Sequence, residues 1–264
     1  MKLYDFDGMF DEKISAHIAK NAGKLKESEW EDKIPELYKK FGNTVIKSIG
    51  KTPKQFYASF SDVELIKCLR AHLKQNVPVS GFLSAEIEER GIEKQLLPLL
   101  DGSAAECEYA MTVFGAAECA IEKYMNLLLT SGDDDIKDKC LEYLVENADA
   151  AAKYALENYK NGVEMPLMVE ILSKVNKLKS DEIFDILIKE LKCDFENMPL
   201  HIGHIVSYGD DRALKYLSEK IDEEGISYLD FRELKFAIEA LGGEYLKQRD
   251  FSDDPFYKLI KPQG

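Results

Sequence analysis

The strongest constraint on this chain is a recurrence at 33 residues in its C-terminal half. Met165-Pro166-Leu167 returns as Met198-Pro199-Leu200, and Tyr208-Gly209-Asp210 returns as Leu241-Gly242-Gly243. A fixed period of this length marks stacked supersecondary units, none of which can bury its apolar face alone. Apolar residues at three- and four-residue spacing run almost from end to end and alternating runs are sparse, so the units read as helical and the fold class as all-α. The expected architecture is a set of antiparallel helix pairs stacked as an α-α superhelix, preceded by an irregular N-terminal helical module.

Local signals place the elements. In the N-terminal module the spacing predicts helices over 11–22, 29–41, 53–59, 62–75, 80–90 and 92–100. Ser28-x-x-Glu31 and Ser61-x-x-Glu64 read as capping boxes, and Thr52-Pro53 as a helix start with proline in the first turn. From Ser103 the helices pair: 103–114 with 116–130, 134–147 with 149–160, 166–178 with 181–192, 199–208 with 211–222, and 228–241 with a short 243–249. The separators combine glycines, which tolerate left-handed backbone at helix ends, with Ser or Asp that cap the next helix. The aromatics of 251–264 are expected to cap the last repeat. The domains are thus 1–100, a helical module, and 101–264, a repeat solenoid with its cap.

Asp181-Glu182-Ile183 and Asp210-Asp211-Arg212-Ala213-Leu214 open second helices, and Ala237-Ile238-Glu239-Ala240-Leu241-Gly242 closes a first one. In these pairs the chain resembles HEAT or armadillo-like repeats over about 103–250. Met198-Pro199-Leu200-His201 is also similar to the Thr-Pro-Leu-His signature of ankyrin repeats, which share the 33-residue period, although Met stands here for Thr and Met168 for the first copy's His. Either resemblance implies protein recognition and transfers no catalytic residue.

Charge divides the chain unevenly. Residues 1–80 hold 14 Lys+Arg against 11 Asp+Glu, or +3, and residues 81–264 hold 21 against 38, or −17, which together give the net −14. So acidic a repeat region repels phosphate backbones, since nucleic-acid binding rests on cationic contacts. The expected partner is a protein with a basic surface, not a nucleic acid, and Asp133-Asp134-Asp135 is the candidate docking patch. The same run also suits a helix start, where carboxylates meet the positive end of the dipole. No stretch is long and apolar enough for a membrane span, and the first residues carry carboxylates where a secretory signal needs an apolar run. Five cysteines without CxxC spacing suggest neither a disulfide framework nor a zinc site. The expectation is a cytoplasmic protein without cofactor.

Candidate chemistry is thin. His201 and His204 share a helix face and, with Asp210 or Asp211, are the one metal-ligand constellation the sequence offers. A metal-dependent hydrolase at that pair is therefore the alternative function. Register argues against it, because a 33-residue shift lays His201 over Met168 and Leu234, and His204 over Ile171 and Ala237, all core-facing positions. Val45 to Thr52 imitates the end of a phosphate-binding loop, but Val45 stands where the first glycine is needed. Asp222 to Phe231 lacks the spacing of a calcium loop and reads as an inter-repeat loop whose Ser227 caps the next helix. The N-terminal acids Asp5, Asp7, Asp11 and Glu12 read as a solvated helix start. Tyr109, Tyr124, Tyr143, Tyr154 and Tyr159 read as packing, with any groove-facing subset as contact anchors. The leading expectation is a non-enzymatic interaction scaffold; an acidic mimic of nucleic acid that inhibits a basic protein is a further alternative.

Overall fold

In a computed structural model of the chain, the described residues are 2–21, 23, 26–194 and 196–260. Residues 1, 22, 24, 25, 195 and 261–264 lie outside them, which includes the last position of the helix expected over 11–22 and the last four of the expected cap. The regular elements of the described residues are all helical, with one isolated bridge between Ile46 and Lys51 in place of any strand. They form two compact units, Met1–Gly115 and Ala116–Gly264.

The first unit contains α1 (Phe6–Lys20), α2 (Glu27–Gly42), α3 (Pro53–Ala58), α4 (Asp62–Lys74), α5 (Gly81–Glu89), a 3-10 helix (Glu93–Leu99) and α6 (Ala104–Phe114). Its core is Phe6, Tyr57, Leu65, Leu69, Leu83, Leu96 and Leu99, all fully buried. Two start signals act as read: Thr52 Oγ1 accepts from Gln55 N at 3.1 Å, and the Ser61 N–H donates to Glu64 Oε2 at 2.8 Å. Ser28 does not cap. The Lys26 N–H donates to Glu29 Oε2 at 2.7 Å, so the reach-back contact closes two residues earlier and places Ser28 inside the first turn. α1 likewise starts before residue 11, because Asp5 Oδ1 accepts from Gly8 N at 2.8 Å. The segment expected as a helix over 92–100 is a 3-10 helix over Glu93–Leu99, with Pro98 in its last turn.

The second unit contains a 3-10 turn (Glu118–Ala120), α7 (Ile121–Thr130), α8 (Asp134–Glu146), α9 (Ala148–Lys160), α10 (Met165–Ser173), α11 (Asp181–Cys193), α12 (Met198–Tyr208), α13 (Ala213–Ile221), α14 (Tyr228–Ala240) and α15 (Pro255–Ile260). Successive helices pack as α7 on α8, α8 on α9, α9 on α10, α10 on α11, and α11 on α12. α13 takes α14 as its main neighbour, whereas the sequence pairs it with α12. Helices two apart also touch, making a continuous layer of α8, α10, α12 and α14. This is the packing of stacked antiparallel helices, in which each unit's apolar stripe is covered by the next.

The 33-residue period is visible in detail. Met165-Pro166 and Met198-Pro199 both open helices of that layer, and Gly209 and Gly242 close two of its helices with positive φ of 65° and 84°. Polar ties cross at about one period. Tyr208 Oη accepts from Ser180 N at 2.9 Å and donates to Ser180 O at 3.1 Å, Arg212 Nη1 meets Asp181 Oδ1 at 2.6 Å, Asn147 Nδ2 donates to Ala116 O at 2.8 Å, and Lys174 Nζ to Ser207 Oγ at 3.0 Å.

Two elements differ from expectation. α10 stops at Ser173 instead of continuing to 178, because Asp149 on α9 accepts the N–H groups of Asn176, Lys177 and Leu178 on one oxygen, at 3.2, 2.9 and 3.0 Å. Three successive donors that converge on one acceptor cannot also serve helical carbonyls four residues back. Residues 243–249 are not helical either. There Tyr245 and Lys247 reach Asp222, and Arg249 reaches the carbonyls of Ile221 and Glu223. Contacts from every second residue belong to extended backbone, with its period of two. Beyond it Phe251 is buried against Tyr228 and Phe231, at ring distances of 5.3 and 4.9 Å, and covers the start of α14.

Candidate interaction surface

The acidic run opens α8. Asp133 is its N-cap: Oδ1 accepts from Asp135 N at 3.0 Å and Ile136 N at 3.3 Å. That carboxylate is turned into the helix end. Asp134 and Asp135 are exposed beside it, Asp134 with 95% of its side chain accessible and Lys137 Nζ no nearer than 3.9 Å. The cap and the exposed pair thus differ in role although they are adjacent in sequence.

The surrounding charge is uneven. The second unit holds 19 Lys+Arg against 31 Asp+Glu, or −12, whereas the first holds 16 against 18, or −2. Several cations of the second unit are engaged within the fold. Lys153, Lys189 and Lys192 lie over the rings of Tyr154, Tyr159 and Tyr216 at 4.5, 5.2 and 4.3 Å, and Lys160 pairs with Glu182 at 2.6 Å. Arg212 forks onto Asp210 while also reaching Asp181, and its guanidinium sits 4.3 Å over Phe184. The tyrosines read as packing are internal or half-buried. Tyr124 is fully buried, Tyr154 donates to Glu122 at 3.3 Å, and Tyr159 donates to Glu190 at 2.5 Å in a tie of 31 residues.

His201 and His204 lie on α12 with ring centroids 5.9 Å apart, both almost wholly buried, as are Met168, Ile171, Leu234 and Ala237 at the corresponding positions of α10 and α14. His201 Nε2 faces Asp194 Oδ2 at 3.1 Å, and the Nδ1 atoms of both rings are buried without a partner. Burial, aided by His201 and Lys174, lowers the His204 pKa to about 4, so its ring is neutral at ordinary pH. Asn197 and His201 hold the Asp194 carboxyl below its usual range, and Arg212 does the same for Asp210. The structure therefore joins His201 to Asp194, which the sequence reading did not single out, and commits Asp210 to Arg212. Asp211 is exposed at the start of the turn into α13. Among the described residues no three His, Cys, Asp or Glu side chains converge as metal ligands do.

A second polar centre, in the first unit, was also missed. Asp7 is not simply solvated at a helix start. Its Oδ1 accepts from Tyr38 Oη at 2.6 Å and Ser80 Oγ at 3.1 Å, and its Oδ2 from Gly81 N at 3.0 Å, so one carboxylate ties α1 to α2 and to the N-terminus of α5. A Cβ on Gly81 would stand 2.7 Å from Tyr38 Oη, which explains the glycine there. Burial and the adjacent Asp7 push the Tyr38 phenol above its ordinary range. This is a structural clamp. Its one sequence signal is the Ser80-Gly81 pair at a helix start.

Among the described residues no helix is long and apolar enough to cross a membrane. Compared with known protein families, curated proteins and solved structures, the chain matches none.

Proposed function

We propose that this chain is a non-enzymatic, cytoplasmic protein-interaction scaffold of the HEAT or armadillo kind, whose acidic repeat unit receives a basic protein surface. The observation that carries the reading is the charge imbalance of the second unit, −12 against −2, with Asp134 and Asp135 projecting free of the cap beside them. Supporting it, ties at about one period make the stack a continuous support. Long-range attraction of a basic partner follows from such a field and acts mainly on the association rate. No disulfide joins the five cysteines, as suits a reducing compartment.

The test begins with capture of partners from a lysate at low salt and at about 0.5 M salt, where screening shortens the reach of charge to a few Å. The affinity of an identified partner is then measured with purified proteins. Asp134→Lys with Asp135→Lys should weaken it by about tenfold, roughly 1.4 kcal/mol, with the fold intact because Asp133 keeps the cap. Binding that ignores both salt and this double reversal would refute the acidic-surface reading.

A further inference from the structure

We propose that the groove between α1 and α2 is a binding site for a small amphiphilic anion, an unbranched carboxylate of medium chain length. This site lies in the first unit and does not rest on the acidic-surface reading. Its floor is Phe10, Ile14, Leu37 and Phe41, with Lys13 and Lys40 beside them, and it offers about 310 Å³ open to solvent. That volume stands at the small end of ligand sites, which run from about 300 Å³ upward.

Charge selects the class of ligand. Among the described residues no carboxylate lines the groove: its side chains are apolar, hydroxyl or basic. Lys13 Nζ lies 4.7 Å from the centroid of the Phe41 ring, and neither Lys13 nor Lys40 forms an ion pair with a described residue. Two uncompensated ammonium groups beside an apolar trough match a ligand with one anionic head and an apolar body. A neutral chain would leave the ammonium groups without a counterpart, and a cationic one would be repelled. At the floor Phe10 bridges α1 and α2, its ring 5.1 Å from Tyr38 and 5.6 Å from Phe41.

The molecule carries its own reporter. Trp30 is the one tryptophan of the chain and stands edge-on to His17, a groove residue, at 5.7 Å. The experiment titrates the full chain with octanoate, decanoate and dodecanoate below their micelle concentrations, and with decan-1-ol and decyltrimethylammonium, following Trp30 emission and calorimetric heat together. A fully buried methylene is worth about fourfold in affinity; in a half-open groove the two added from octanoate to decanoate should give about fourfold in total. Decanoate should bind one to one, decanol at least tenfold more weakly, and the cationic analogue not at all. Lys13→Glu with Lys40→Glu, both on the surface, should cost decanoate about tenfold and leave decanol within twofold. Equal binding of decanol or of the cation, or neither heat nor emission change with any carboxylate, overturns the site. Saturation by an acidic amphipathic peptide in place of decanoate overturns the ligand class. The homologous series on the unmutated chain decides the matter even where the charge-reversed variant fails to fold.

Discussion

Replacing Asp149 by alanine should destabilise the second unit through a segment far from it in sequence. One carboxylate oxygen receives the N–H groups of Asn176, Lys177 and Leu178, at 2.9 to 3.2 Å, and so shapes the chain between α10 and α11. A hydrogen bond to a charged acceptor contributes about 1.5–3 kcal/mol. The three share one oxygen in an exposed loop, where water replaces part of what is lost, so we expect about 2 kcal/mol for the set and not their sum. For a unit of this size that is a fall in melting midpoint of about 4–8 °C. The clearest assay is hydrogen exchange of the three amides, which should speed up at least about tenfold, since 1.4 kcal/mol of lost protection is a factor of ten. Burial raises the Asp149 pKa, but the three backbone donors outweigh it and the net shift is downward. Its contribution is therefore fully present above the unfolded value of about 3.9 and is lost as pH falls through the lower folded value, so the gap between wild type and variant should close in strong acid. Asp134→Ala, which removes an exposed carboxylate, is the control. Unchanged exchange at 176–178, with a midpoint within about 1 °C of wild type, would refute the clamp.

Three further outcomes follow from buried groups. Tyr208→Phe removes the hydroxyl that both accepts from and donates to the Ser180 backbone, and should cost about 1–3 kcal/mol in denaturant unfolding, because it strands a backbone pair beside a buried ring. His204→Ile places the residue of the corresponding position in α10 into the core; with the histidine present, the unfolded state takes up a proton near pH 6.5 and the folded state only near pH 4, so stability falls as pH drops across that window by up to about 3 kcal/mol, and the variant should flatten the loss in a pH series of melts. Asp7→Ala releases Tyr38, Ser80 and Gly81 together and should cost the first unit about 2–4 kcal/mol, with Asp7→Asn intermediate, read as a separate transition by exchange in α1.

What the sequence revealed is what a local signal can carry. Thr52, Ser61 and Ser227 each cap the helix they precede, with Ser227 Oγ accepting from Asp230 N at 3.1 Å, because a cap is decided within four residues. The errors share the opposite cause. Lys174 to Leu178 suits a helix by propensity, and only a carboxylate 27 to 29 residues earlier ends it. Residues 243–249 read as a helix by the same local reasoning, and the contacts of Tyr245, Lys247 and Arg249 with residues 221–223 draw them out straight. Tertiary contacts worth a few kcal/mol override propensities of a few tenths per residue.

The candidate surface was legible to a different degree, for a reason that lies in the period itself. A 33-residue repeat constrains inward positions strongly, since each must fit the helix stacked on it, which is why the shift that lays His201 over Met168 and Leu234 marks the histidines as core from sequence alone. Outward positions answer to no neighbour in the stack, so their register carries little information about what they meet. Between the two stand the polar ties, and these follow the period without repeating any motif: Glu122 with Tyr154, Tyr159 with Glu190, and Asp181 with Arg212 are 32, 31 and 31 residues apart. Two of them join a Tyr hydroxyl to a Glu carboxylate but in opposite chain order, and the third joins Arg to Asp, so a search for recurring residues passes over them. A search for complementary pairs one period apart would have found them, and would have shown which charges are consumed inside the stack. Asp210 would then have been removed from the metal candidates on its neighbour's account, because Arg212, placed by its tie to Asp181, forks onto it. The residue left prominent by that subtraction is Asp134, next to a cap, exposed, and tied to no neighbouring repeat.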